Sequence, residues 1–333
     1  MTHFEIGNSR VAAGTREAIE LEVSVLANST RLNLPVHVVH GAKPGPVFFV
    51  SGVMHGDEIL GVEIIRRILA AREIENLSGT LLAVPIVNSF GFLTHSRYMP
   101  DRRDLNRSFP GSDRGSLASL LADLFFSEVV LRAQFGIDFH TAALHRSNLP
   151  QIRIAPADKD LLELAEAFAP PVILTSKLRD GSLRQCAKDR DVKVLLYEGG
   201  EALRFDEVAI EAGVKGTLRV MKMLGMINAA PRIMPHAATV HSSASTWLRA
   251  PEGGILHSVR RIGDRVGINE PVGVISDPLG SSQVAVVAEE DGIIIGRTNL
   301  PIVNRGDALF HVARVSSKAR APVHALPDED EII

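Results

Sequence analysis

From Leu34 onward the chain alternates between two hydrophobic patterns. Short apolar, β-branched runs recur at LPVHVVHG (34–41), PVFFVSGV (46–53), TLLAVPIVN (80–88) and VKVLLYE (192–198). Continuous runs of this length predict strands covered on both faces. The segment Ala42-Lys43-Pro44-Gly45 between the first two is a turn signal. Asp57 to Arg72 predicts a helix: Ile59, Val62, Ile65, Ile68 and Leu69 recur at helical spacing, and Asp57 and Glu58 fall in the first turn, where carboxylates suit the dipole. Helices are also predicted over about Leu117–Gln134, Lys159–Phe168 and Asp206–Met226, with strands ending at Asp138–His140 and near Gln151–Ile154. The first thirty residues are polar and alternating, as in an edge hairpin or an arm, and Ser89 to Ser116 reads as a long irregular stretch. Strands alternating with helices predict an α/β fold with a mostly parallel or mixed sheet flanked by helices.

After Asn228 the pattern changes. Pro231 and Pro235 mark a linker, and from about His236 to Arg314 no helical period remains. Gly254-Ile255-Leu256 followed by Gly263-Asp264 is echoed by Gly292-Ile293-Ile294 followed by Gly306-Asp307. Two similar halves predict a small all-β sandwich or barrel. It resembles the biotinyl- and lipoyl-carrier sandwich, but the segment Asp277–Glu290 between the halves has no lysine, and Lys222 lies within the predicted long helix. The β-region is therefore expected to be structural, a lid or an oligomer contact. The expected organisation is residues 1–230, a β-domain over 231–315 and a charged, proline-containing tail over 316–333.

Composition narrows the function classes. Of 333 residues, 45% are hydrophobic and 23% charged, which excludes disorder as an overall class. Lys and Arg number 36 against 39 Asp and Glu, so no global positive field favours nucleic acid or an anionic membrane. The one cysteine, Cys186, cannot form an intrachain disulfide or a Cys-x-x-Cys pair. The opening MTHFEIGNSRVAAG lacks a basic start followed by an apolar core, and no stretch of about 18 apolar residues occurs, so a cytoplasmic location is expected.

Four segments carry chemistry. His55 and Glu58 stand three apart at a strand-to-helix junction, and an imidazole with a carboxylate suits zinc. His140 closes a predicted strand after Asp138, which could orient the ring. Asp104-Leu105-Asn106-Arg107-Ser108-Phe109-Pro110-Gly111 lies in the irregular stretch, preceded by Arg97, Arg102 and Arg103; guanidinium groups bind carboxylates bidentately. Glu198 ends an apolar strand before Gly199-Gly200, where glycines allow close approach of substrate or backbone. Each segment alone also has an ordinary reading, as a surface histidine, a solvated basic loop or a strand-ending acid. His145, Arg146, Asn148, Arg153 and Arg184 are further pocket candidates, while Tyr98 and Trp247 are too isolated to interpret.

In this order, the four segments resemble the succinylglutamate desuccinylase/aspartoacylase family, relatives of the zinc carboxypeptidases. The resemblance covers roughly residues 45–225, and the Asp-Leu-Asn-Arg string with its Phe-Pro-Gly is its most specific element. It implies a zinc-carboxypeptidase-like fold and one zinc ion per chain held by His55, Glu58 and His140. It implies Glu198 as catalytic base and acid, and Asn106 and Arg107 as the grip on a substrate carboxylate. A further arginine is expected to stabilise the oxyanion; Arg97 is the first choice, and Arg103 is the rival. The implied activity is hydrolysis of the amide bond of a small N-acyl amino acid or close analogue. A carboxypeptidase-like peptidase and a non-catalytic zinc- or anion-binding protein are the alternatives, and a homo-oligomer is compatible with all three.

Overall fold

The apolar runs become the middle of one wide sheet. The computed structural model describes residues 2–232 and 239–315; Pro235, His236 and the expected tail lie outside them. In chain order, β1 (His3–Ile6) and β2 (Ser9–Ala12) form a hairpin, then come β3 (Thr15–Val25), β4 (Arg31–His40), β5 (Lys43–Gly52), α1 (Leu60–Ala70), β6 (Ser78–Val84), α2 (Ser89–Thr94) and α3 (Leu117–Phe125). These are followed by β7 (Phe135–Ala142), β8 (Arg146–Ile154), α4 (Lys159–Phe168), β9 (Val172–Thr175), α5 (Leu183–Lys188), β10 (Lys193–Glu201) and α6 (Glu207–Met223). The C-terminal part is all β: β11 (Val240–Ser242), β12 (Ser245–Arg249), β13 (Gly254–Ser258), β14 (Arg265–Val266), β15 (Pro271–Ser276), β16 (Gln283–Val287), β17 (Gly292–Thr298), β18 (Ile302–Val303) and β19 (Ala308–Arg314).

The large sheet runs β12-β19-β17-β8-β10-β7-β5-β6-β4-β3. Its centre, β10-β7-β5-β6, is parallel, and β8 and β4 flank that centre antiparallel. Neighbouring side chains in the central strands serve opposite faces. Phe49 packs with Phe125 and Leu183 on one face, while Phe48 packs with Ile64, Phe168 and Tyr197 on the other. Each such fully buried side chain contributes about 1.5–3 kcal/mol of apolar transfer. This double coverage explains why these strands read as unbroken apolar runs.

The C-terminal strands form mostly antiparallel sheet and join the large sheet at one edge. β12, β19 and β17 continue the large sheet through β8, while β16-β15-β13-β18 form a second antiparallel sheet. A small core of Leu149, Val172 and Leu174 with Ile293, Ile295 and Ala313 crosses between the two parts.

Two predicted helices differ at their ends. The first starts at Leu60 rather than Asp57, because residues 53–59 turn the chain and carry Glu58 inward before the helix begins. The helix predicted over 117–134 stays α-helical only to Phe125, and widens to a π turn over Phe126–Val130.

Candidate active site

His55 and Glu58 lie just past the C-terminal end of β5, at the carboxyl edge of the parallel strands. Val53 has φ +54°, so the chain reverses sharply. Gly56 then passes so close to Gly91 that a Cβ would sit 1.9 Å from the Gly91 carbonyl carbon. The turn closes with the Glu58 amide donating to the His55 carbonyl at 3.1 Å. His140 comes from β7, the parallel neighbour of β5. Glu58 bridges the two rings: Oε1 is 2.7 Å from His55 Nδ1, and Oε2 is 2.7 Å from His140 Nδ1. The ring centroids are 4.9 Å apart, and all three side chains are buried.

The far side of each ring also faces a carboxylate. Asp138 Oδ2 is 2.7 Å from His140 Nε2, and its other oxygen accepts from the Ser51 hydroxyl at 2.7 Å. Asp104 Oδ1 lies 3.3 Å from His55 Nε2. Burial alone would push both imidazoles down, but the Glu58 charge on His55, and the Asp138 and Glu58 charges on His140, raise them, His140 well above the ordinary range. Burial would push Glu58 up, yet the two rings hold it below the usual carboxylate range. His140, with a carboxylate oxygen 2.7 Å from each nitrogen, donates from both, so the cluster carries protons where a divalent cation would substitute for them. The donor atoms lie within 4.8 Å of one another. Two imidazoles and one carboxylate, with acidic groups behind the rings, are the donor set and the orienting contacts that suit zinc.

The Asp104–Gly111 loop packs along the same opening. Asp104 accepts from the Asn106 amide at 2.9 Å and from Arg97 Nη2 at 2.9 Å. Arg97 Nη1 is 3.3 Å from His55 Nδ1 and 3.4 Å from Glu58 Oε1. The Asn106 side-chain Oδ1 accepts from the Leu183 amide at 2.9 Å, which ties the loop to the start of α5. Arg107 is exposed at the mouth. Arg103 is also exposed, 3.8 Å from Asp101, and does not line the cavity.

These groups surround one cavity of about 300 Å³, at the lower end of the range for small-molecule sites. Glu198, on β10, faces it with Oε2 2.9 Å from Asn148 Nδ2 and Oε1 3.4 Å from Arg153 Nη1. The lining holds six guanidinium groups, those of Arg97, Arg107, Arg146, Arg153, Arg179 and Arg184, against the carboxylates of Glu58 and Glu198. Burial, and then the Arg153 charge, push Arg184 down to about 10.

Of the further sequence candidates, Arg146, Asn148, Arg153 and Arg184 line the cavity, while His145 does not. The C-terminal strands supply two lining residues that sequence reasoning did not interpret or name. Trp247 and His311 stack with centroids 4.6 Å apart and planes at 7°, and the Arg146 guanidinium lies 5.1 Å from the indole centroid. Local spacing holds no signal for either, since strand pairing across 64 residues brings them together.

A family model for the succinylglutamate desuccinylase/aspartoacylase catalytic domain matches residues 44–224. An N-alpha-acetyl-L-2,4-diaminobutyric acid deacetylase of Halomonas elongata is 26% identical over 296 residues, covering 85% of this chain and 86% of that protein. A solved succinylglutamate desuccinylase/aspartoacylase of Rhodobacter sphaeroides superposes with a TM-score of 0.79 at 27% identity, covering 90% of this chain and 96% of that one. An ectoine utilization protein of Ruegeria pomeroyi, solved with product bound, shares the fold with a TM-score of 0.78 at 21% identity, covering 90% and 94%. The match spans the turn with His55 and Glu58, the arginine loop, and the strands of His140 and Glu198, and the chain belongs to the succinylglutamate desuccinylase/aspartoacylase family.

Proposed function

We propose that the protein is a zinc-dependent amidohydrolase that removes the acyl group from an N-acyl amino acid or a close analogue. The observation that carries this reading is the convergence of His55, Glu58 and His140 on the same small cavity as Glu198 and a ring of guanidinium groups. When bound there, zinc supplies Lewis acidity that lowers the pKa of water from about 15.7 to about 7.

The chain's own residues do the rest. Asn106 and Arg107 hold the α-carboxylate and so fix the amide in the cavity. Arg97, beside the His55–Glu58 pair, faces the scissile carbonyl and offsets the charge that develops on its oxygen; Arg103 points elsewhere. Glu198 takes the proton of the attacking water and passes it to the amide nitrogen as the C–N bond breaks. The products are a carboxylate and a free amine, and Glu198 returns to its ionised form.

The charge balance of the lining selects among substrates. Six guanidinium groups against two carboxylates favour an acyl amino acid with a second carboxylate, in its side chain or its acyl group, over one with an ammonium group such as the substrate named for the Halomonas relative. The test is metal analysis with turnover of a panel containing N-acetyl-L-aspartate, N-succinyl-L-glutamate, N-acetyl-L-2,4-diaminobutyrate and simple dipeptides. Zinc at one ion per chain, loss of turnover in chelator and preference for the dicarboxylates are expected. Full turnover by metal-free protein would overturn the reading.

A further inference from the structure

We propose that Asn148 is the positioning residue for Glu198, and that the C-terminal strand β17 holds it in place through Gly296. The inference rests on the reading of Glu198 as the proton carrier, and adds to it a route by which the β-region acts on the chemistry.

β8 lies between β10, which carries Glu198, and β17, which belongs to the C-terminal strands. On β8, Arg153 and Gln151 pair with Leu196 and Glu198, so they share the face on which Glu198 stands. Simple alternation would next present Leu149. Instead the register shifts between Glu198 and Gly200, and Asn148 pairs with Gly200. Two residues of β8, Leu149 and Pro150, stand where β10 has only Gly199. Pro150 has no amide to give to a ladder, which suits it to a bulge. The bulge turns Asn148 onto the face of Glu198, and its amide donates to Glu198 Oε2 at 2.9 Å.

Asn148 is boxed between two glycines. Gly200 is opposite it on β10 and Gly296 is opposite it on β17. A Cβ at Gly296 would sit 2.8 Å from Asn148 Oδ1, 3.3 Å from the Ser147 carbonyl oxygen and 3.4 Å from the His311 Cβ, so the side chain of Asn148 uses the space a side chain at 296 would take. Gly296 does not have the positive φ that other glycines here adopt. Its lack of a side chain therefore makes room first for Asn148. A second link holds the same strand ends together: Asn299, just past β17, donates to Glu201 Oε2 at 2.8 Å, and the His145 amide donates to Glu201 Oε1 at 2.9 Å.

A donor aimed at one oxygen of a carboxylate fixes its orientation. The experiment uses the full chain loaded with zinc and the best substrate of the panel. Asn148→Ala is expected to lower kcat roughly 10- to 100-fold with KM within about twofold. Asn148→Asp, nearly the same shape, lowers kcat at least as far because like charges then face each other, and Gly296→Ala lowers it less with zinc content unchanged. An unchanged kcat in Asn148→Ala and Gly296→Ala, in proteins of native fold, overturns the inference. Full turnover by Glu198→Gln overturns the proton-carrier reading instead, and the two failures are read on different variants.

Discussion

The floor and the wall of the cavity follow opposite rules of charge. On the floor, His55, Glu58 and His140 satisfy one another at 2.7 Å, and Asp138 and Asp104 stand behind the rings. On the wall, Arg153 and Arg184 lie together with little to balance them: Arg184 donates to the Arg153 carbonyl at 3.3 Å, and Arg153 reaches Glu198 at 3.4 Å. The carboxylates of the floor, which the ring protons balance without a metal, are what a cation neutralises once it displaces those protons. The excess of positive charge on the wall is what an anionic ligand neutralises. The contrast teaches that two ligands of opposite sign are expected side by side, an ion below and a carboxylate-bearing molecule above.

Breaking the floor has the largest effect. His140→Ala is expected to take bound zinc from one ion per chain to none and to abolish turnover, read by metal analysis and a direct assay. Asp138→Asn keeps the ligand but removes the charge that orients it, and weakens zinc by about 10- to 100-fold in a chelator competition. Equal zinc affinity in Asp138→Asn and the parent would show that the aspartate merely ends its strand.

Breaking the wall acts on substrate rather than metal. Arg184→Met is expected to raise KM for a dicarboxylate substrate about 10- to 100-fold, with zinc content unchanged. It also removes a buried cation that costs stability until an anion arrives, so Tm of the ligand-free protein rises by roughly 2 °C. A fall in Tm would mean that the guanidinium is already well paired, and the contrast between floor and wall would fail.

The floor was far more legible in the sequence than the wall. His55 and Glu58 share one turn and His140 closes one strand, so short-range spacing and the edge of a parallel sheet pointed to them. The helix start was misplaced by three residues because periodicity alone cannot show that Glu58 turns inward before Leu60. Arg97 is the first choice in the sequence and Arg103 its rival, and spacing alone does not settle between them because both precede the Asp-Leu-Asn-Arg string; what separates their positions is how the loop folds Arg97 back on Asp104. Asn148, Arg153 and Arg184 could be named as candidates but not placed, because a bulge at Pro150 and the docking of α5 decide where they face. Trp247 and His311 carried no signal at all. They reach the cavity because C-terminal strands join the main sheet through β17 and β8, a pairing between distant segments that the local pattern does not show.

The smallest effect at neutral pH belongs to His311, a neutral residue that the C-terminal strands place beside the cationic wall. It is 8% exposed, its Nε2 lies 2.9 Å from the Ser245 hydroxyl, and its Nδ1 has no hydrogen-bond partner among the described residues. Burial, and then the Arg153 charge, push it down to about 3. The unfolded chain therefore takes up this proton first as pH falls, and stability present at neutral pH drains from about pH 6.5 downward. The slope for one proton is about 1.4 kcal/mol per pH unit. His311→Gln is expected to leave stability at pH 7.5 nearly unchanged and to flatten the loss between about pH 6 and pH 4, measured by urea unfolding. Because Arg153 is part of the cause, Arg153→Met in the parent background leaves the onset of that loss near pH 6.5 but ends it at a higher pH, so the total loss is smaller. If both variants lose stability with acid as the parent does, His311 is not held neutral by the wall, and the C-terminal strands contribute shape to the cavity without taking part in its charge.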